Sequence, residues 1–290
     1  SLSTEVPTVM TCHDIVPLHH PEGLPWATRL YYRHYLPRFL RRADHVLTVS
    51  DYVRHDIAQT LAPLGQRAGV PLSKISVVYN GCRDTFKPLE AAEQQRVREK
   101  FAEGQPYFFY TGAIHPRKNI ARLIRAFDLF KQRSAAAAKL LLAGRLAWHT
   151  EEVTAAISQS PHRADIRLLG YVSEEELPRL MGAAQALVYV SLSEGFGLPM
   201  LEAMRTDTPV LAANASCLPE IAGDAALLVD PLSEESVAQG LGRLWSEPDL
   251  ARRLVERGQV QRTRFSWDAA AEQVYEILRR CARPVPGPPQ

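Results

Sequence analysis

The chain has 290 residues, 46% of them hydrophobic and 23% charged, with a formal net charge of +2. That balance excludes intrinsic disorder, allows two domains or one large one, and is too even to imply a nucleic-acid partner, so any basic surface must be local. The cysteines Cys12, Cys82, Cys217 and Cys281 are far apart and form no C-x-x-C pair, which argues against a zinc site or a disulfide framework and suits reduced, cytosolic thiols. No apolar run reaches the roughly 18 residues of a membrane span, and the N-terminus lacks the charged and apolar regions of a signal peptide. On this reading the protein could touch a membrane without crossing one.

In chain order, a strand is predicted over residues 8–12, ending in His13-Asp14. Between Pro25 and Arg42, Trp26, Leu30, Tyr31, Tyr35, Phe39 and Leu40 are interleaved with Arg29, Arg33, Arg38, Arg41 and Arg42, and no acid occurs from Leu24 to Ala43. Two readings stand side by side: a membrane-surface helix, or an ordinary domain helix whose arginine face is solvated or meets an acidic loop. Pro37 is expected to kink it. A strand follows over 45–50, a helix over 51–61 with Ser50 as its cap, and a strand over 74–79 closed by the Asn80-Gly81 turn.

Pro88 marks the expected domain boundary. Beyond it a charged helix is predicted over 89–102. Strands over 107–111, 139–143, 166–169, 186–190, 210–213 and 227–229 then alternate with helices over 119–133, 150–158, 174–183, 198–204 and 217–222. The first of these helices carries Ile120, Leu123, Ile124, Phe127 and Phe130 on one face. Alternation at this pitch predicts an α/β domain built on a doubly wound parallel sheet. Helices over 234–245 and 267–280, the second capped by Ser266, precede a proline-rich tail at 283–290 that is expected to fray. No internal repeat is visible.

The most informative stretch is Ser193-Glu194-Gly195-Phe196-Gly197-Leu198-Pro199-Met200-Leu201-Glu202-Ala203-Met204. Glu194 falls just before a helix and Glu202 in its first turn. Between them lie a Gly-Phe-Gly loop expected to bare backbone N–H groups and a proline suited to the first helical position. The stretch follows the apolar run 186–190, so the acids sit outside a strand's carboxyl end, where open α/β sheets bind ligands. Glu194 could then grip a sugar hydroxyl, and Glu202 a ribose. The alternative is a surface turn with a solvated acid; two acids spaced E-x7-E around G-F-G-x-P favour the functional reading.

This segment resembles the E-x7-E signature of the retaining nucleotide-sugar glycosyltransferases of family 4, which have the two-domain GT-B fold. The resemblance extends, in the family's order, to His13-Asp14, to Ala43-Asp44-His45-Val46-Leu47-Thr48-Val49-Ser50 and to Val78-Tyr79-Asn80-Gly81. It continues through Gly112-Ala113-Ile114-His115-Pro116-Arg117-Lys118-Asn119 and Gly223-Asp224-Ala225-Ala226-Leu227-Leu228-Val229-Asp230-Pro231. The His-Pro-Arg-Lys-Asn form looks most like bacterial mannosyltransferases. The resemblance implies two Rossmann-like domains with a cleft between them: 1–88 on the acceptor side, 89–266 binding the nucleotide sugar, and a helix over 267–282 crossing back, before the tail at 283–290. In the family the His-Asp motif lies well inside the N-terminal domain, so that domain is expected to be partial here.

The implied activity is metal-independent, retaining transfer of a hexose, mannose from GDP-mannose, onto a glycan or lipid-linked acceptor. A GDP- or UDP-linked donor is the only small molecule required. The setting implied is cytoplasmic, with room for peripheral contact at the inner face of a membrane. Transfer loads negative charge onto the leaving diphosphate, and Arg117 and Lys118, between a strand ending at Gly112 and a helix beginning near Asn119, converge where that charge could be held. Two solvated cations there would oppose the helix macrodipole by roughly 0.3–1 kcal/mol each unless an anion answers them, which favours a phosphate site. No D-x-D occurs, and Asp224 and Asp230 are separated by a strand, so no metal ligands are assigned. By resemblance His13 helps to position donor sugar and acceptor, against the alternative of a satisfied strand-end histidine. Tyr171-Val172 would flank the nucleotide base through backbone groups. Two other readings remain open: a binding module that holds the nucleotide sugar without transfer, because the N-terminal domain is incomplete, and an epimerase or phosphorylase on the same fold.

Overall fold

The computed structural model describes residues 6–21, 24–62 and 69–282. The chain divides into two compact units, Ser1–Gly81 with Phe265–Gln290, and Cys82–Arg264. The division falls before Pro88 because the 82–88 segment is bound to the second unit. Phe86 is buried, and Arg83 and Asp84 pair with Glu174 and Arg205 at 3.0 and 2.5 Å.

In the first unit, β1 (Val9–Cys12), β2 (His45–Thr48) and β3 (Ile75–Val77) form a parallel sheet in the order β1-β2-β3, with Val9 opposite His45 and Val46 opposite Ile75. Strand β3 is shorter than the predicted 74–79 because Lys74 ends a 3-10 turn, Leu72–Lys74, and Val78 and Tyr79 lie beyond the strand. The connection from β1 passes through α1 (Val16–His19) and α2 (Trp26–Arg42). Pro37 lies inside α2, which continues through it; Leu36 and Leu40, on either side of the proline in the helix's second half, are buried. Helix α3 (Asp51–Thr60) begins as predicted, with Ser50 Oγ accepting from Val53 N.

The second unit runs α4 (Ala91–Ala102), β4 (Tyr107–Thr111), α5 (Ile120–Ser134), β5 (Lys139–Ala143), α6 (Glu151–Gln159) and β6 (Ile166–Gly170). It continues through α7 (Glu176–Gly182), β7 (Ala186–Tyr189), α8 (Leu198–Arg205), β8 (Val210–Ala213), α9 (Leu218–Ala222) and β9 (Ala226–Val229). Helices α10 (Glu234–Ser246) and α11 (Pro248–Gln261) complete it. Six parallel strands lie in the order β6-β5-β4-β7-β8-β9. Tyr107, Phe108, Phe109 and Tyr110 are all fully buried, as expected of a central strand covered on both faces. Helix α5 buries the Ile120, Leu123, Ile124, Phe127 and Phe130 face that its periodicity predicted. Helix α11 has no counterpart in the predicted elements, since only Leu254 and Gly258 are buried along it and its apolar stripe is too thin to read.

Helix α12 (Trp267–Cys281), capped by Ser266 Oγ accepting from Asp268 N and Ala269 N, belongs to the first unit. Its Ala270, Val274 and Ile277 pack with Leu47 and Val78. The tail expected to fray at 283–290 lies outside the described residues.

The order of the large sheet fixes the site. Strand β4 pairs with β5 on one side and β7 on the other, so the chain builds outward from β4 to β6, returns, and builds outward from β7 to β9. The loops after β4 and β7 therefore leave the sheet in opposite directions and open a crevice at the strands' carboxyl ends, which is where such sheets bind ligands.

The ends of β4 and β5 also meet closely: a Cβ on Gly144, whose φ is +148°, would lie 1.9 Å from Gly112 O. Gly144→Ala should therefore lower the melting temperature by several degrees or more, whereas Gly242→Ala, in α10 with a nearest contact of 4.0 Å, should raise stability by about 0.5–1 kcal/mol. Thermal unfolding of the two variants beside the parent checks both signs.

Candidate active site

Arg117 and Lys118 follow β4 in a 3-10 turn, Pro116–Lys118, and Glu194 follows β7. The switch in strand order brings them together. Lys118 Nζ donates to Glu194 Oε1 at 2.5 Å and Arg117 Nη1 to Glu194 Oε2 at 2.9 Å. Tyr189, the last residue of β7, donates its hydroxyl to Glu194 Oε1 at 2.9 Å and accepts from Lys118 Nζ at 3.1 Å. Arg117 Nη1 also donates to Ser193 O. Lys118, Tyr189 and Glu194 are buried. Burial works to raise the Glu194 carboxyl, but the neighbouring Lys118 and Arg117 charges outweigh it and hold the group below the ordinary carboxylate range. The acid is thus ionised, and the site carries two positive charges against one negative.

This arrangement corrects the expectation that only a ligand could answer the two cations: Glu194 answers both. Its backbone is held as well, with Glu194 N donating to Ser216 Oγ at 3.1 Å and Cys217 Sγ donating to Glu194 O at 3.2 Å. Asn119, in the left-handed region at φ 63°, does not cap α5. Its amide instead donates to Val190 O at 3.1 Å and Pro231 O at 2.7 Å, joining the ends of β7 and β9 to the start of α5.

The loop expected to bare its N–H groups is buried from Glu194 to Gly197, because Phe196 turns inward; Leu198 is the first exposed residue. Gly197 has φ +94° and stands where a Cβ would come within 2.8 Å of Leu218 Cδ2, so both conformation and space require glycine. Helix α8 begins at Leu198, with a proline in its first two positions. Glu202 is consequently its fifth residue and lies beyond the first turn, one turn deeper than predicted. No protein group hydrogen-bonds the Glu202 carboxyl among the described residues. Burial raises its pKa to about 7, with Arg83 as the opposing charge.

Of the other predicted residues, Gly112 follows β4 directly with φ +138°, its N–H donating to Ala143 O at 3.0 Å. Val172 is half-buried beyond β6, next to the exposed Tyr171, whose ring has the Arg145 guanidinium 5.1 Å from its centroid. His13 belongs to the first unit. It is exposed after β1 and lines an apolar cleft of about 550 Å³ with Thr11, Tyr79, Trp267 and Tyr275.

The sequence reading missed Tyr189, taken as one more apolar strand residue; its position five residues before Glu194 was the available signal. It also missed His115, stacked on Trp148 at 5.4 Å and 9°. Burial, then the Arg117 and Lys118 charges, lower His115 to about 4, so the ring is neutral near pH 7.

Comparison with known proteins follows this geometry. The family model for glycosyl transferases group 1 matches residues 91–261, and that for glycosyltransferase family 4 matches residues 2–86. O-antigen chain mannosyltransferase B of Escherichia coli is 33% identical over 274 residues, which are 93% of this chain and 70% of that protein. O-antigen chain mannosyltransferase RfbU of Salmonella typhimurium is 30% identical over 240 residues, 83% of this chain and 61% of that protein. Among solved structures, Anabaena HepE in complex with UDP and glucose superposes with a TM-score of 0.80 at 21% identity, covering 94% of this chain and 72% of that one.

The unbonded Glu202 carboxyl makes stability depend on pH in a defined direction. With the folded pKa near 7 and the unfolded one near the ordinary 4.5, the folded state holds the extra proton between them. Its contribution is fully present below about pH 4.5 and is lost as pH rises through about 7, by up to about 3 kcal/mol. Glu202→Gln should match the parent at pH 4 and exceed it at pH 8, as read by urea unfolding at both values.

Proposed function

Since this chain belongs to the glycosyl transferases of group 1 and has the GT-B fold, we propose that it moves a hexose from a nucleotide-sugar donor onto a glycan or lipid-linked acceptor. The finer reading is retention at the anomeric carbon, no metal, and mannose from GDP-mannose as the donor. The names of both O-antigen relatives support mannose. The observation that carries the reading is the cluster of half-buried Arg117 with buried Lys118 and Glu194 at the strand-order switch.

Cleavage of the donor builds negative charge on the diphosphate and positive charge on the sugar. A diphosphate lying over Arg117 and Lys118 meets cations that Glu194 already holds in place, so little reorganisation is required as the charge grows. Among the described residues, Arg117 bonds protein oxygens through Nη1 alone. Its Nε and Nη2 are left as a fork matched to two phosphate oxygens. Lys118 adds a compact charge from the buried side. The two together supply the neutralisation a divalent cation would otherwise give, which is the ground for proposing metal independence.

Glu194 orients the reacting sugar next to the phosphates, Glu202 takes the ribose hydroxyls, and the backbone at Val172 flanks the base. His13 helps to position donor sugar and acceptor. The departing phosphate takes the proton of the incoming hydroxyl on the same face, so no side chain is assigned as general base. The chain spans 70% and 61% of the lengths of the two O-antigen relatives; a second reading is a module that binds the donor without transfer. Calorimetric donor binding with neither transfer nor donor hydrolysis would select it.

Turnover should persist in EDTA; loss in chelator that Mn²⁺ or Mg²⁺ restores would overturn metal independence. Lys118→Ala should lower kcat by about 10²–10³-fold while weakening donor binding much less, because it acts on charge that grows in the transition state. Glu202→Ala should chiefly raise the donor KM. Lys118→Ala leaves Glu194 with one cation, so its melting temperature is measured alongside, and Arg117→Lys, which keeps charge but loses the fork, serves as a second probe. Unchanged kcat in both cation variants would remove the diphosphate from this cluster.

A further inference from the structure

We propose that Trp148, on the loop after β5, is a positioning residue that acts through His115 to hold the turn carrying Arg117 and Lys118 in place; its part in turnover rests on the reading that the donor diphosphate lies over those two cations.

Glu194 fixes the charged ends of Arg117 and Lys118. The backbone of the turn is tied to the loop after β7 as well, since Leu192 N donates to Arg117 O at 2.9 Å. Strand β4 lies between β7 and β5, and the β5 loop holds the turn from the other side. Ile114, fully buried, carries the β4-β5 pairing one step beyond the strands. It bridges Leu146, donating its N–H to Arg145 O at 2.9 Å and accepting from Ala147 N at 2.9 Å. His115 comes next, and its carbonyl accepts from Lys118 N at 2.9 Å to close the turn. His115 is therefore the joint between the β5 loop and the cations, and its ring lies flat on the Trp148 indole at 5.4 Å and 9°.

Backbone conformation on both loops favours a fixed contact. Pro116 restricts the residue before it to extended backbone, and His115 has φ −154° and ψ 167°. On the facing loop His149, directly after Trp148, is left-handed with φ 53°. A residue other than glycine keeps that conformation where its surroundings over-determine it. Burial, then the Arg117 and Lys118 charges, keep His115 neutral near pH 7, so the stack is ring on ring and adds no third cation beside the two. Without the indole the turn would keep its hold on the β7 loop and lose its brace on the β5 side. A displacement of about 1 Å in a group that meets developing charge can cost up to about 10²-fold in rate.

The test compares Trp148→Ala, Trp148→Phe, His115→Ala and the double variant Trp148→Ala with His115→Ala in the full chain. Trp148 lies outside the buried core, so these variants fold with close to the parent's melting temperature. Amide hydrogen exchange is read without ligand: Trp148→Ala should speed exchange at Lys118 about tenfold or more while Ala126, inside α5, exchanges as in the parent. With GDP-mannose as the donor probe, Trp148→Ala should lower kcat about tenfold and change KM less than about threefold. Trp148→Phe, which keeps a ring for His115, should stay within about twofold of the parent. The double variant should lose no more than Trp148→Ala alone, whereas independent roles would multiply the losses. Parental exchange at Lys118 in Trp148→Ala, a Phe variant no better than the Ala variant, or multiplied losses in the double variant would overturn the proposal. So would parental kcat in Trp148→Ala when Lys118→Ala lowers it. Failure of the donor reading is distinct: it shows as parental kcat in Lys118→Ala, and the exchange at Lys118 then decides by itself whether Trp148 braces the turn.

Discussion

A buried carboxylate shared by two cations is the interaction on which the larger unit's ligand end depends. Removing three charges from water costs several kcal/mol per ion, and such a cluster is tolerated only when geometry and further hydrogen bonds offset that penalty. Here they do. The two Glu194 oxygens meet Lys118, Arg117 and Tyr189, while the Glu194 backbone is held by Ser216 and Cys217. The partners come from the ends of three strands, so the cluster also ties the loops after β4, β7 and β8 to one another. Asn119 adds the loop after β9 through Pro231. The walls of the crevice at the switch point thus share one electrostatic centre.

The two acids of the E-x7-E motif live in opposite environments. Glu194 is depressed by the two cations despite its burial, whereas burial dominates at Glu202 and Arg83 offsets only part of it. One acid is fixed in the ionised state, and the other has its carboxyl unbonded and close to neutral-pH titration. Such contrast between neighbouring titratable groups is the usual mark of divided roles. The unbonded acid fits one that meets its partner only when a ligand arrives, and the bonded one fits a group that organises its neighbours. Burial, with the same cations in second place, holds His115 neutral against Trp148.

The smaller unit distributes its apolar residues differently. Its three-stranded sheet is covered in part by α12, which reaches it from the far end of the sequence. Helix α2 is anchored only in its second half. Its first half leaves Trp26, Leu30, Tyr31 and Tyr35 exposed.

Much of this protein was legible in its sequence because the relevant signals are local. Strand and helix periods placed β4, β5 and β8 at their observed bounds, and Ser50 and Ser266 announced caps that the structure contains. The E-x7-E spacing and the His-Pro-Arg-Lys-Asn run identified the residues of the candidate site. Helix α11 escaped because two buried residues in fourteen leave no readable stripe. Glu202 lies just beyond the first turn although the helix start at Leu198 was predicted, because it is the fifth helical residue. What only the tertiary structure decided is which loops meet. Residues 117 and 194 are brought together by the strand order β6-β5-β4-β7-β8-β9, and no local period encodes strand order. Burial follows from that order, and burial separates the protonation of Glu194 from that of Glu202. The sequence determined the chemical groups; the packing of the sheet determined their charges and their partners, because both depend on what is near in space.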